Sequence, residues 1–446
     1  MNMNEIEFIP PVIRILLDED IDAVRNPAEI KRFYRPLLPE LRKQARWTMT
    51  NWKYFDEQQD PHPDAFLITA SGSLNPLSHK AICFHPNCRV AAADHFACTV
   101  GLYADIVTVP DTLSATLLLK ERLSELQLLT FAYDVLVVKA LEPLIRAGIV
   151  RFRKAYFTFC KKHHRVFDQL VEQATNKLLT NVESELKFKR RKNFITVDTG
   201  RLYDPPLLEI KEIPPQIQHE LDNGRSIEEV GRELFTSTLH DMLSGILIDM
   251  SSASRVGATL FSSSRFDLLC IRSLEATVPR LSKIEAWEAN RSAQLPWIQN
   301  LSARDVVRLR EEAITALPRF RETILRILRT TKHSYEASKA IAELRSEAAE
   351  LTAELHALKI TDEKRFRNVA GALGITISVY GFASGFVSPS VALGSLISLL
   401  ALLHSSSRKD EQEMEKLKSR PSYVLLKAKE ITTHSKHKAV IPGTPY

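Results

Sequence analysis

The order of apolar and polar positions divides the chain into an N-terminal part with short strands, a helical middle and a C-terminal segment of a different character. From Ala115 to Ile145 apolar residues dominate (Leu117, Leu118, Leu126, Leu129, Val135, Leu136, Val138, Leu141), a run long enough to predict buried helix rather than strand. Gly148 supplies the stop signal. Ile149 to Arg153 and Tyr156 to Cys160 are β-branched or aromatic and predict two strands joined by a tight turn at Lys154-Ala155. Ala65 to Thr69, Phe194 to Asp198 and Leu207 to Ile210 are further strand candidates, and residues 217 to 251 predict helix before a Ser-rich turn region, Ser251 to Ser264. Ser302 with Asp305 three positions on resembles a capping box. It opens a helical stripe of Val306, Leu309, Ala313, Leu317, Phe320, Ile324 and Ile327, which Pro318 interrupts. Ile341, Leu344, Ala348, Leu351, Leu355 and Leu358, three or four apart with charges between, predict a short coiled-coil helix.

The expected fold is therefore mainly α with a small α+β N-terminal part, ending in a coiled-coil helix followed by an apolar helical hairpin. Three domains are expected: an α+β domain over 1–200, a helical domain over 201–330, and a C-terminal part over 331–446 that ends in a basic tail.

The hairpin rests on the longest departure from ordinary patterning. Asn368 to Ser407 holds no Asp, Glu, Lys or Arg, in a chain that is 26% charged. Gly371, Gly374, Gly381, Gly385 and Gly394 fall inside it, and Pro389 divides it into two arms. At ~1.5 Å rise per residue the first arm reaches about 30 Å and the second only ~22 Å. A hairpin entering a bilayer from one side fits better than two full spans, and the basic residues at both ends (Lys364, Arg365, Arg367; Arg408, Lys409) agree. Gly381 and Gly385 share a helical face where the arms could approach closely. The soluble reading is a core hairpin packed on the coiled-coil helix, which would also serve homo-oligomerisation through 331–404.

Composition adds little to this picture and charge adds more. An apolar content of 44% and a net charge of +6 describe an ordinary globular protein. Between Lys139 and Lys192, however, fourteen Lys/Arg face five Asp/Glu. Arg146, Arg151, Arg153, Lys154, Lys161, Lys162, Lys189, Arg190, Arg191 and Lys192 form a candidate basic patch for phosphates of nucleic acid or anionic lipid. Within it, Leu141 to Phe159 has the order helix, glycine stop, strand, turn, strand, which resembles the end of a winged-helix DNA-binding domain. The resemblance covers some twenty residues and implies contact between this segment and DNA.

Five cysteines are an odd count and too sparse for a disulfide framework, and the first residues carry Glu5 and Glu7 without a secretory pattern. The expected location is the cytoplasm or the cytoplasmic face of a membrane. Cys83, His85, Cys88, His95 and Cys98 lie within sixteen residues and could supply N/S ligands to a structural zinc ion. The spacing matches no regular zinc-finger pattern, and small core cysteines with histidines at helix ends are the other reading. No cofactor besides zinc is suggested. Walker, GxGxxG, GxSxG and HExxH patterns are all missing, so no catalytic residue is assigned; Asp94 and His95 are the least implausible acid–base pair.

These readings favour a non-enzymatic intracellular protein that engages a membrane through the C-terminal hairpin, in the manner of a bacterial effector or defence component. A nucleic-acid-binding regulator using residues 139–192 is the first alternative, and an enzyme on an unfamiliar template the second.

Overall fold

The computed structural model describes residues 8–19, 27–57, 65–77, 86–102, 104–119, 123–155, 160–191, 194–198, 207–212, 215–262, 265–278, 286–288, 298, 301–330, 342–343, 346–351, 353–354, 412 and 414–438. The fold is mainly helical with a small parallel sheet. It divides into two units: Met1–Gln294 with Gln299–Val307, and Leu295–Ile298 with Arg308–Tyr446. The expected hairpin lies outside the described residues; of the expected coiled coil, residues 342–343, 346–351 and 353–354 are described, all of them helical.

In the first unit the chain runs through α1 (Pro11–Asp18) and α2 (Pro27–Asn51) into β1 (Leu67–Ala70), then α3 (Pro86–Phe96), β2 (Ile106–Pro110), α4 (Thr112–Leu119), α5 (Glu125–Ala140), α6 (Glu142–Arg146) and β3 (Val150–Arg153). There follow α7 (Lys161–Val182), β4 (Lys187–Arg191), β5 (Phe194–Asp198), β6 (Leu207–Glu212), α8 (Pro215–Asp222), α9 (Ile227–Val256), β7 (Thr259–Ser262), α10 (Arg265–Thr277) and β8 (Ala286–Glu288). The five strands β3-β2-β1-β7-β8 form one sheet in that order, and every pairing is parallel. Every residue of β1 and β2 is buried. That explains their near-continuous apolar sequences, because a parallel strand covered on both faces has no wet side to mark with polar residues.

This sheet changes the expected reading of residues 149–160. Val150–Arg153 is a strand, and it pairs in parallel with β2, Val107 opposite Val150 and Val109 opposite Phe152. Cys160 caps α7, and residues 156–159 lie outside the described set. The glycine stop is where the sequence puts it: Gly148 has φ 71° just after α6.

Between α7 and α8 an antiparallel sheet, β4-β5-β6, is inserted and rests on α9, where the Phe188 ring lies against Gly231 and packs edge-on to Phe235. α9 carries the main core. Phe235, Leu239, Leu243, Ile246 and Met250 pack with Val171, Ala174 and Leu178 of α7, Ile271 and Leu274 of α10, and Leu67 and Leu260 of the parallel sheet. Its ends are set by local chemistry. Ser226 accepts a hydrogen bond from the Glu228 amide at the N-terminus, and Gly257 adopts φ 65° at the C-terminus. α5 opens on a full capping box, Ser124 with Gln127.

Ser302 and Asp305 form the reciprocal hydrogen bonds expected of them and open α11 (Ala303–Glu312). α11 ends before Pro318, which falls in the first turn of α12 (Leu317–Thr330), where a proline loses no helical bond. In the second unit α12 packs against α13 (Ser422–Lys438), whose Lys427 pairs with Glu430 at 2.7 Å and with Glu312 at 3.7 Å.

Candidate functional site at the carboxyl edge of the parallel sheet

β1, β2 and β3 follow one another outward from the sheet centre, and the chain then returns to place β7 and β8 on the other side of β1. The order therefore reverses between β1 and β7. In open parallel sheets this is the place where loops diverge beyond the strand ends and leave room for a ligand. Ser71 directly follows β1, Asp111 directly follows β2, Arg153 ends β3 and Ser262 ends β7. Four strands thus deliver a polar residue to the same edge.

Helix residues complete the constellation. Asp249 of α9 pairs with the Arg153 guanidinium and accepts from Ser71 Oγ at 2.7 Å. The Gly72 amide also donates to it. Arg153 Nη1 donates to the Lys154 carbonyl at 3.3 Å, while its buried Nε has no hydrogen-bond partner among the described residues. Asp267, in the first turn of α10, accepts from Ser262 Oγ at 2.7 Å. Gly72 has φ 58°, and a Cβ on it would lie 2.5–2.9 Å from the Asp267 carboxyl atoms, so this turn admits only glycine. On the β2 side, Tyr54 donates its hydroxyl to Asp111 at 2.8 Å, and Asp111 caps α4 by accepting from the Ser114 amide at 3.0 Å.

Three carboxylates and one guanidinium are thereby gathered at one edge of the sheet. Ser71, Asp111, Ser262 and Asp267 are completely buried; the Arg153 side chain is 1% exposed and that of Asp249 10%. Asp249 is thus the least buried of the charged members. Burial pushes the Asp249 carboxyl up, with Arg153, Ser71 and the Gly72 amide opposing and Asp267 adding to the rise. Asp111 is raised for the same reason, against its bonds from Ser114 and Tyr54. Burial and then the Asp111 charge raise the Tyr54 phenol, so it stays a hydrogen donor. Stability alone gives no reason for such a set, since buried ion pairs are often matched or bettered by apolar residues of similar volume. Perturbed, desolvated acids gathered at a sheet's carboxyl edge make this edge the candidate site.

Of the five Cys and His residues singled out by sequence, Cys88, His95 and Cys98 are described. Cys98 is buried and donates to the Leu301 carbonyl at 2.9 Å, and burial pushes its thiol up to about 12; Cys88 and His95 are exposed. Cys83 and His85 lie outside the described residues, among which no three His, Cys, Asp or Glu side chains converge as a metal ion would need. Asp94 is half-buried, and desolvation raises its carboxyl.

The basic residues differ in their surroundings. Arg153 belongs to the buried site, and Arg151 lies over the Phe8 ring at 4.3 Å, with burial lowering its pKa. Lys154 lies 3.5 Å from Glu57, Arg146 pairs with Asp18 and Glu142, and Arg190 pairs with Asp222. Lys161, Lys162 and Lys189 are exposed, Arg191 ends β4, and Lys192 lies outside the described residues, as do Gly371, Gly374, Gly381, Gly385, Pro389 and Gly394. Among the described residues no helix is long and apolar enough to cross a membrane. Sequence reasoning missed the carboxyl-edge site because its members are far apart along the chain. The local signal for it was Thr69-Ala-Ser-Gly-Ser73, a strand end followed by small residues and a glycine. No family model, no curated protein and no solved structure matches the chain.

Proposed function

We propose that the first unit is a recognition module for a small, hydrogen-bond-rich ligand of nucleoside or nucleotide type, bound at the carboxyl edge of the parallel sheet between β1 and β7. The observation that carries this reading is the buried Arg153–Asp249–Ser71 network, with Ser262 and Asp267 beside it, at the point where strand order reverses. Asp249, the charged member nearest solvent, is the natural acceptor for ligand hydroxyl or amino groups. Thermal unfolding in the presence of nucleosides, nucleotides and dinucleotides tests it. A ligand at a hundred times its Kd stabilises the folded state by about 2.7 kcal/mol, which raises the midpoint by several degrees. Ser71→Ala removes one hydrogen bond to Asp249 and is expected to shrink that rise. A panel in which no compound moves the midpoint would overturn the proposal.

A second reading concerns the other unit and rests on sequence: the forty uncharged residues from Asn368 to Ser407 engage a bilayer as a hairpin. Liposome flotation of the full chain beside one truncated before Asn368 tests it. The full chain is expected to float with neutral as well as anionic vesicles, and the truncated one not with neutral vesicles. Equal behaviour of the two on neutral vesicles would make the segment a core element instead.

A further inference from the structure

Helix α2 has two faces of opposite character. Tyr34, Leu41, Ala45 and Thr48 are buried, and the helix packs on α1, α4 and α5, with the Tyr34 ring edge-on to Phe131 at 5.6 Å. On the opposite face Arg32, Arg35, Lys43 and Arg46 are all exposed. Spacings of three, eight and three residues keep these four within a narrow arc of the helix surface, over roughly 22 Å from Arg32 to Trp47. Among the described residues Arg32, Arg35 and Arg46 form no ion pair, whereas Lys43 lies 3.8 Å from Glu40. Glu29 and Glu40 sit along one border of the stripe rather than within it.

The apolar contribution to this face is as distinctive as the charge. Trp47, 48% exposed, stands at its C-terminal end, on the border beside the basic residues, and Pro36 and Pro39 are exposed along its middle. Prolines inside a helix leave the carbonyls four residues back, those of Arg32 and Arg35, without an amide donor. They are tolerated on the wet side of a helix, where solvent or polar headgroups can satisfy those carbonyls.

We infer that the outer face of α2 docks on an anionic membrane surface, with Arg32, Arg35, Lys43 and Arg46 on lipid phosphates and carboxylates and the Trp47 indole at headgroup depth. Charge complementarity selects an anionic partner, and the indole selects the bilayer interface, where tryptophan is enriched. A single-stranded nucleic acid would need successive aromatic platforms for its bases. Trp47 is the lone aromatic on this face, since Tyr34 is buried and Phe33 leans on it at 5.2 Å. This contact goes beyond ligand recognition at the sheet edge and does not depend on residues 368–407.

Co-sedimentation of the full chain with vesicles of phosphatidylcholine alone, or mixed with phosphatidylserine, at low and high salt separates the cases. The expected result is a component of binding that appears only with phosphatidylserine and weakens with salt. Neutralising each basic residue lowers that component roughly five-fold, so Arg32→Gln, Arg35→Gln, Lys43→Gln and Arg46→Gln together remove about two to three orders of magnitude. Trp47→Ala weakens it further without disturbing the fold, because the side chain is half exposed. If the quadruple variant keeps the phosphatidylserine-dependent component, or if none is seen with the wild type, the inference is overturned. Equal binding to both vesicle types by wild type and variant overturns it too, while leaving the hairpin reading intact. Loss of oligonucleotide retention by the variant with unchanged vesicle binding assigns the face to nucleic acid instead.

Discussion

Replacing Arg153 with methionine is expected to lower folding stability by about 3–5 kcal/mol, read as a drop in the urea midpoint with little change in slope. The reason lies in what the substitution leaves behind. Asp249 would remain buried in α9 with its carboxylate facing Ser71 Oγ and the Gly72 amide but no cation. Two neutral donors do not offset the removal of a carboxylate from water. A second substitution in the same background, Asp249→Leu, is expected to return much of the loss, because it takes away the stranded charge. Recovery would stop short of the wild type, since Ser71 and Gly72 then lose their acceptor, at about 1–3 kcal/mol for a buried donor left unmade. A cost below about 1 kcal/mol for Arg153→Met would mean that Asp249 reaches water easily, and the edge of the sheet would then be open rather than sealed. The double variant separates function from folding: a folded protein without the network should no longer respond to any ligand that stabilises the wild type.

How far the sequence discloses this arrangement depends on the range of the interactions. Helix signals that act within one turn were readable. The Ser302–Asp305 box, the stop at Gly148 and the break at Pro318 all depend on neighbours a few residues away. β1, β3, β5 and β6 were also visible as short apolar or β-branched runs. Pairing was not. Val150–Arg153 reads as half of a hairpin because nearby residues are also β-branched or aromatic, yet its partner β2 lies forty residues upstream. A parallel pair always needs such a crossover, so local pattern cannot reveal it.

β7 was hidden for a different reason. Thr259–Ser262 lies inside a Ser-rich stretch that resembles a turn, and it becomes a strand because Leu260 and Phe261 fill the core beside β1. In the basic segment summed charge does not distinguish inward from outward residues. Summed charge over residues 139–192 suggests one surface, whereas Arg153 is drawn inward by Asp249, ninety-six positions away. The stripe on α2 escaped notice because its residues are diluted by the buried face in between, and only the exposure of Trp47 and its neighbours separates the two sides.

The second large effect concerns pH and the ion pair between α3 and α5. Arg89 and Asp134 meet with side chains only 2% and 1% exposed. Burial pushes the Asp134 carboxyl up to about 7, with the Arg89 guanidinium pulling it back only in part. In the unfolded chain the same group titrates near the ordinary aspartate value of about 3.9. Between those two values the folded state holds a proton that the unfolded state has released, so a rise in pH favours unfolding. The contribution of Asp134 is therefore complete below about pH 4 and is lost as pH rises through about 7, at roughly 1.4 kcal/mol per pH unit. This is the reverse of the usual acid denaturation, in which an exposed, paired carboxylate loses its stabilising effect as pH falls. Urea midpoints of the wild type and of Arg89→Met with Asp134→Leu, compared across this range, isolate the effect because other titrating groups cancel in the difference. The wild type is expected to lose ground steadily to the double variant from about pH 4 to 7 and then run level with it. A flat difference would mean that Arg89 outweighs burial and holds Asp134 ionised throughout, and the α3–α5 contact would then be a permanent ion pair rather than one whose charge follows the pH of its surroundings.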